Sequence, residues 1–205
     1  MKIILFILLI FGFAYCSNYD DGLNAYKNKE YKKAIEFFKL SAKEGDAQAK
    51  HNLSIIYANG DGVEQDLKES IYWLKEAVKD RNSYAIMSLA NSYMKGDIVK
   101  KDYKKAIELF TIEAENENIE ALYNLGFLYT VGMGVKVDSK KGVEYYTKAA
   151  ELGSTNAQIN LGFIYISGQG VQKDMKKAAY YIKKAKDKGN LKAEALWIEF
   201  DLEKY

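Results

Sequence analysis

The strongest constraint on this chain is self-similarity at a period of 36 residues. Sliding the stretch from Ile119 to Ser154 by one period in either direction lays like residues on like. One column reads Ala49, Ala85, Ala121, Ala157 and Ala193; another reads Leu53, Leu89, Leu125 and Leu161. Tyr57, Tyr93, Tyr129 and Tyr165 form a third, and Gly60, Gly96, Gly132 and Gly168 a fourth. Val63, Val99, Val135 and Val171 follow, then Asp66, Asp102, Asp138 and Asp174. Repeats of this length are stacked supersecondary units, because one unit cannot bury its apolar face alone.

The spacing inside the unit predicts two helices. Ala121, Leu125, Leu128 and Tyr129 fall on one helical stripe. Gly132 and Gly134 break it, since glycine reaches the positive φ of a helix exit. Asp138 stands where a second helix begins and its carboxylate can accept from first-turn amides. At Asp66 the pattern adds Glu69, which predicts a reciprocal capping box. Val143, Tyr146, Ala149 and Ala150 form the apolar side of the second helix. Two columns of small residues mark where helices touch: Ser54, Ala90, Gly126 and Gly162, then Ser70, Ala106, Gly142 and Ala178.

The pattern A-x-x-x-L-G-x-x-Y-x-x-G-x-G-V-x-x-D, followed by a helix ending K-A-A-x-x-G, resembles the Sel-1-like repeat, a relative of the tetratricopeptide repeat. Ala121 to Glu151 carries it almost whole. Ile98 departs from it at the second glycine, Ser54 and Ala90 at the glycine after Leu, and Arg81 and Glu117 at the closing glycine. The resemblance implies an all-α, right-handed solenoid of stacked antiparallel helix pairs. The expected units are 47–82, 83–118, 119–154 and 155–190, between an N-terminal capping pair at 17–46 and a C-terminal capping helix at 191–205. That last helix, from Ala193 to about Glu203, is expected to present a polar end face.

Residues 1–16 are of another kind. Lys2 precedes an apolar run from Ile3 to Ala14, and Ala14-Tyr15-Cys16 offers a cleavage site before Ser17, which reads as a secretory signal peptide. The expected location is secreted or periplasmic. Cys16 is the only cysteine, so the chain can form no internal disulfide. If Cys16 were lipidated, the protein would instead be anchored in the cell envelope, and only then is a membrane partner expected.

Catalytic constellations are missing from the sequence. His51 is the only histidine, which removes two-histidine metal motifs; no catalytic residue, metal or cofactor is expected. The G-x-G at Gly60, Gly132 and Gly168 follows a helix and reads as a terminator. Ser92-Tyr-Met-Lys95 matches S-x-x-K, and the resemblance implies an alternative here, since cysteine-rich relatives are described as penicillin-binding or β-lactamase-like. With 30 Lys and Arg against 28 Asp and Glu, mixed through every unit, no basic stripe for nucleic acid is expected. The pairs Lys104-Lys105, Lys140-Lys141 and Lys176-Lys177 read as solvated first turns or as a ridge facing an anionic surface.

Binding is the better reading. Asn52, Asn124 and Asn160, with Ser88 in the same column, lie on the first helices, which line the concave side of such stacks. Side-chain amides there can grip a peptide backbone or bond between repeats. Tyr145, Tyr180 and Tyr72 lie beside packed positions and can show a face to solvent. The expected function is a non-catalytic scaffold that binds a protein or extended peptide, with no small-molecule substrate.

Overall fold

The computed structural model describes residues 18–205. The expected signal peptide and Cys16 lie outside them. The described residues are all-α, helical-solenoid in class, with no strand among them. They fall into two compact units, divided between Lys101 and Asp102.

The first unit holds α1 (18–27), α2 (Tyr31–Lys43), α3 (Ala47–Asn59), α4 (Leu67–Lys79) and α5 (Ser83–Lys95). The second holds α6 (Tyr103–Glu115), α7 (Ile119–Val131), α8 (Ser139–Glu151), α9 (Thr155–Ser167), α10 (Met175–Lys186) and α11 (Leu191–Glu199), then a 3₁₀ turn at Leu202–Lys204. In each unit successive helices pack on one another. Phe38, Leu53 and Ile56 anchor the first core, and Leu122, Leu161 and Ile182 the second.

Every first helix from α3 to α9 ends on a left-handed glycine: Gly60, Gly96, Gly132 and Gly168, at φ between 73° and 79°. The next glycine of the turn does a second job. A Cβ on Gly134 would lie 2.5 Å from the Tyr103 Cβ, and Gly62 and Gly170 press likewise on Tyr31 and Ser139. Each of these contacts joins a turn to the start of the second helix one repeat earlier, 31 residues back. Ile98 cannot play this part. It lies outside the positive-φ region, and its amide donates to Asp97 Oδ1 at 2.7 Å instead. Arg81 and Glu117 do adopt φ 57°, where Gly45, Gly153 and Gly189 stand in the other repeats. A non-glycine residue is strained there by about 1–2 kcal/mol.

The second-helix caps form as expected, with one correction. Asp66 Oδ1 accepts from the Lys68 and Glu69 amides, both at 2.9 Å. The reciprocal arm is not made: the Asp66 amide already donates to the Tyr57 carbonyl at 2.9 Å, and Glu69 turns to accept from Trp73 Nε1 at 2.8 Å. The closing helix also differs from expectation. It ends at Glu199, Asp201 takes φ 47°, and Leu202 folds back into the core. Its outer side shows Leu191, 85% exposed, and Ile198, 70% exposed, beside the charged residues.

The small columns are where backbones meet. A Cβ on Gly126 would lie 2.6 Å from the Tyr146 ring. One on Gly142 would strike Thr130 Oγ1 and stand 3.0 Å from the Gly126 carbonyl. In an open helix Gly→Ala gains close to 1 kcal/mol, but overpacking against fixed backbone costs about 1–3 kcal/mol. Gly142→Ala is therefore expected to lower the stability of the fold by about 1 kcal/mol, read as a lower urea midpoint. A raised midpoint would show that α7 and α8 are not in contact at this column.

Candidate functional site

Two of the three predicted asparagines line grooves, one in each unit. In the second unit a groove of about 340 Å³ is lined by Val131, Tyr146, Ile159, Asn160, Phe163 and Leu196, with Gln169 and Lys192 at its edge. In the first unit a groove of about 280 Å³ is lined by Leu23, Tyr26, Phe38, Asn52, Ile55 and Ile56. These are the same place in the repeat. Leu23 corresponds to Val131, Phe38 to Tyr146, Asn52 to Asn160, Ile55 to Phe163 and Ile56 to Ile164, each pair three 36-residue periods apart.

The floor is buried and the rim is not. Tyr146 and Phe38 lie in the core, whereas Phe163 is 49% exposed, Val131 47% and Ile55 39%. These rim side chains leave apolar surface in water that a ligand can cover. The amides are half-buried and each has a phenol for a neighbour. Asn160 Nδ2 reaches Tyr123 Oη at 3.5 Å, and Asn52 Nδ2 reaches Tyr19 Oη at 3.4 Å. Burial pushes the Tyr146 hydroxyl well above the ordinary phenol range, and its hydrogen bond with Asn160 pulls the other way. Tyr26 donates to Asp61 Oδ2 at 2.8 Å, and that bond is the main reason its own proton is held to about 12. The Tyr146 and Tyr26 hydroxyls thus keep their protons near neutral pH.

The other predicted residues are placed elsewhere. Asn124 is half-buried on α7, and its side chain makes no hydrogen bond among the described residues. Tyr145 lies on α8, stacked on Tyr129 with ring centroids 5.7 Å apart and Lys141 Nζ 4.3 Å from the Tyr129 ring and 6.0 Å from that of Tyr145. Tyr180 stands exposed on α10 with Lys184 Nζ 4.5 Å from its ring. Tyr72 is exposed on α4 against Trp73. The tyrosines thus mark second helices and do not join the asparagines. Sequence reasoning missed Leu23, Ile55, Val131 and Phe163. For Ile55 and Phe163 the signal was an apolar residue three places after the column asparagine, on the same helix face; Leu23 and Val131, on the preceding first helices, carried no such mark.

Two further candidates lose their chemistry. Ser92 is 5% exposed on the buried side of α5, so no acyl substrate can approach its hydroxyl. Among the described residues no three His, Cys, Asp or Glu side chains gather to hold a metal. His51 meets Ser88 Oγ at 3.1 Å and stacks beside Tyr84, linking α3 to α5. Burial lowers its pKa from 6.5. The unfolded chain then takes up the proton first as the pH falls below 6.5. The stability contributed by neutral His51 is full above pH 6.5 and is lost as the pH drops through the lower folded value.

Comparison with known proteins identifies the repeat. Residues 13–46, 47–81, 83–116, 119–154 and 155–190 each match the Sel1 repeat model. Among solved structures the chain is similar to c5321, a protective antigen present in uropathogenic Escherichia coli strains displaying an SLR fold. The match has 30% identity and a TM-score of 0.80 over 87% of this chain and 39% of that one, so this chain spans well under half of that protein. A Sel1 repeat protein from Oxalobacter formigenes is similar at 30% identity and TM-score 0.74, covering 86% of this chain and 72% of its own. Helicobacter pylori cysteine rich protein B is similar at 26% identity and TM-score 0.50, covering 64% and 95%. No curated protein sequence matches.

The single histidine gives one imidazole signal to follow by NMR. Its midpoint is expected below 6.5, and the drop in melting temperature between pH 7 and pH 5 is expected to be smaller in His51→Gln. A midpoint at or above 6.5 would contradict the buried link to Ser88.

Proposed function

This chain belongs to the Sel1 repeat family, a family of protein-interaction scaffolds, and from that premise we propose that it grips an extended protein segment on the concave, first-helix face. No bond is made or broken. An apolar side chain of the partner enters between Val131 and Phe163 and covers their exposed surface, while the Asn160 amide is free to exchange its long contact to Tyr123 for the partner's backbone. At about 25 cal/mol per Å² of apolar surface buried, one large side chain contributes about 1.5–3 kcal/mol. A single groove is therefore a weak grip, and useful affinity needs more than one contact.

The observation that carries this reading is recurrence. The same five positions build a groove in both units, with apolar rims and an asparagine in each. In the register between them within the first unit the equivalent positions are Asn59, Leu74, Ser88, Asn91 and Ser92, mostly polar. Stacking requires only the buried columns, so it does not account for exposed Ile55 and Phe163. The apolar leader at Ile3 to Ala14 supports a secreted or periplasmic scaffold, or an envelope-anchored one if Cys16 carries lipid.

Panning a random-peptide display library on protein purified from a Gram-negative host tests the proposal. Its intact mass, beginning at Ser17 or at an acylated Cys16, reports the compartment. Enriched peptides are expected to carry bulky apolar residues and to lose at least tenfold in affinity to Phe163→Asp or Ile55→Asp. Enrichment that ignores both substitutions would place the binding surface elsewhere and refute the groove.

A further inference from the structure

The repeats serve as controls for one another, and one segment departs from the rest. Residues 173–188 hold seven lysines and two aspartates, a net charge of +5. The equivalent segment one repeat earlier, 137–152, has three lysines and three acids. Those at 101–116 and 65–80 each have three lysines and four acids, and that at 29–44 has five lysines and three acids. Ala178, Ile182 and Ala185 keep the uncharged, buried columns of Gly142, Tyr146 and Ala149, so packing there does not demand the excess. It arises mostly at solvent-facing positions: Lys173 replaces Val137, Tyr180 replaces Glu144, Lys183 replaces Thr147 and Lys188 replaces Leu152, while Lys186 stands where Ala150 is buried.

On α10 these residues share one face. Lys176, Lys177, Tyr180, Lys183 and Lys184 recur at spacings of three and four, with Lys173 just before the helix. Lys173, Lys176, Lys177, Tyr180 and Lys183 are exposed and Lys184 is half-buried. Some of the charge is answered: Lys177 Nζ lies 3.9 Å from Asp174, Lys184 rests over the Tyr180 ring, and Lys186 faces Glu194 at 3.6 Å. Asp187 closes the helix at its far end. Lys173, Lys176 and Lys183 have no carboxylate within ion-pair distance among the described residues. Net positive charge held along one face repels itself, and a facing layer of negative charge relieves that repulsion.

We propose that the exposed face of α10 is a docking surface for an anionic phospholipid bilayer. The ridge is built from lysine alone, and the chain's one arginine, Arg81, lies in the other unit. Lysine is a flexible point charge that suits a diffuse layer of headgroups, whereas recognition of a fixed carboxylate or phosphate favours arginine's planar fork. Four to eight lysines on one helix face are enough to hold a protein to anionic lipid, each adding attraction within a Debye length. Tyr180, 54% exposed in the middle of the ridge, has the apolar body and polar tip that settle at headgroup level. No residue of α10 lines the groove of this unit, so docking leaves the peptide site open.

The test is co-sedimentation of the purified full chain with vesicles of phosphatidylcholine containing 30% phosphatidylglycerol. Binding is expected at low salt, weakening as salt rises, and absent with phosphatidylcholine alone. Lys176→Glu with Lys183→Glu is expected to weaken binding by on the order of a hundredfold, counting roughly a tenfold loss for each lysine reversed. Lys140→Glu with Lys148→Glu, the same charge change on α8, is expected to cost far less. Both pairs contain exposed side chains, and unchanged thermal melts will show that the variants fold. No binding to anionic vesicles, or equal loss from the two variant pairs, would overturn the proposal. Binding to poly-glutamate as tight as to vesicles would assign the ridge to an acidic protein and overturn it equally.

Discussion

A single residue holds two helix ends at every passage from one repeat to the next. The amides of Asp46, Asn82, Asn118, Ser154 and Asn190 donate to the carbonyls of Ser41, Ala77, Glu113, Ala149 and Ala185, at 2.8–3.2 Å. That closes the outgoing second helix, whose last carbonyls would otherwise be unpaired. The side chains of the same residues accept from the amides of Ala49, Ala85, Ala121, Ala157 and Ala193, which opens the incoming first helix. The alanines of the first sequence column are thus the amides that these caps capture, and each is fully buried. Fixing both helices on one residue fixes the angle between them, and the buried columns then meet in register.

Inside the repeat an aspartate does comparable work. Asp66, Asp138 and Asp174 each donate an amide to the Tyr57, Tyr129 or Tyr165 carbonyl while capping the second helix. With the helix ends settled by backbone and short polar side chains, the remaining positions divide cleanly. Buried columns carry stacking and can change little. Exposed positions beside them are open to variation: Ile55 and Phe163 stand where another repeat has Asn91, and Lys183 of α10 stands where α8 has Thr147.

What was legible in the sequence is what is local. Glycine turns, aspartate caps and apolar stripes depend on neighbours a few residues away, and the helices formed where those signals stood. The small columns were legible as contacts because Gly126 and Gly142 leave no other use for a missing side chain in a helix. The capping box failed because a competitor came from outside the local window: the Tyr57 carbonyl took the Asp66 amide. The grooves were half legible. Asn52 and Asn160 announced themselves by recurrence, but their phenol partners, Tyr19 and Tyr123, lie 33 and 37 residues away and share no column with one another. The rim was overlooked because Leu23, Ile55, Val131 and Phe163 differ in identity, and only their common position reveals them. Ser92-Lys95 shows the reverse error, a motif match whose serine is spent on the core.

Native-state hydrogen exchange tests the junction account most directly. The amides of Asp46, Asn82, Asn118, Ser154 and Asn190 lie between helices, where loop-like exchange is the ordinary expectation. If each holds two helix ends, they will exchange as slowly as mid-helix amides of the same unit. The amide of Lys136, which has no hydrogen-bond partner among the described residues, will exchange far faster. Junction amides exchanging at the rate of Lys136 would mean that neighbouring repeats part freely at these residues, and the account would be wrong.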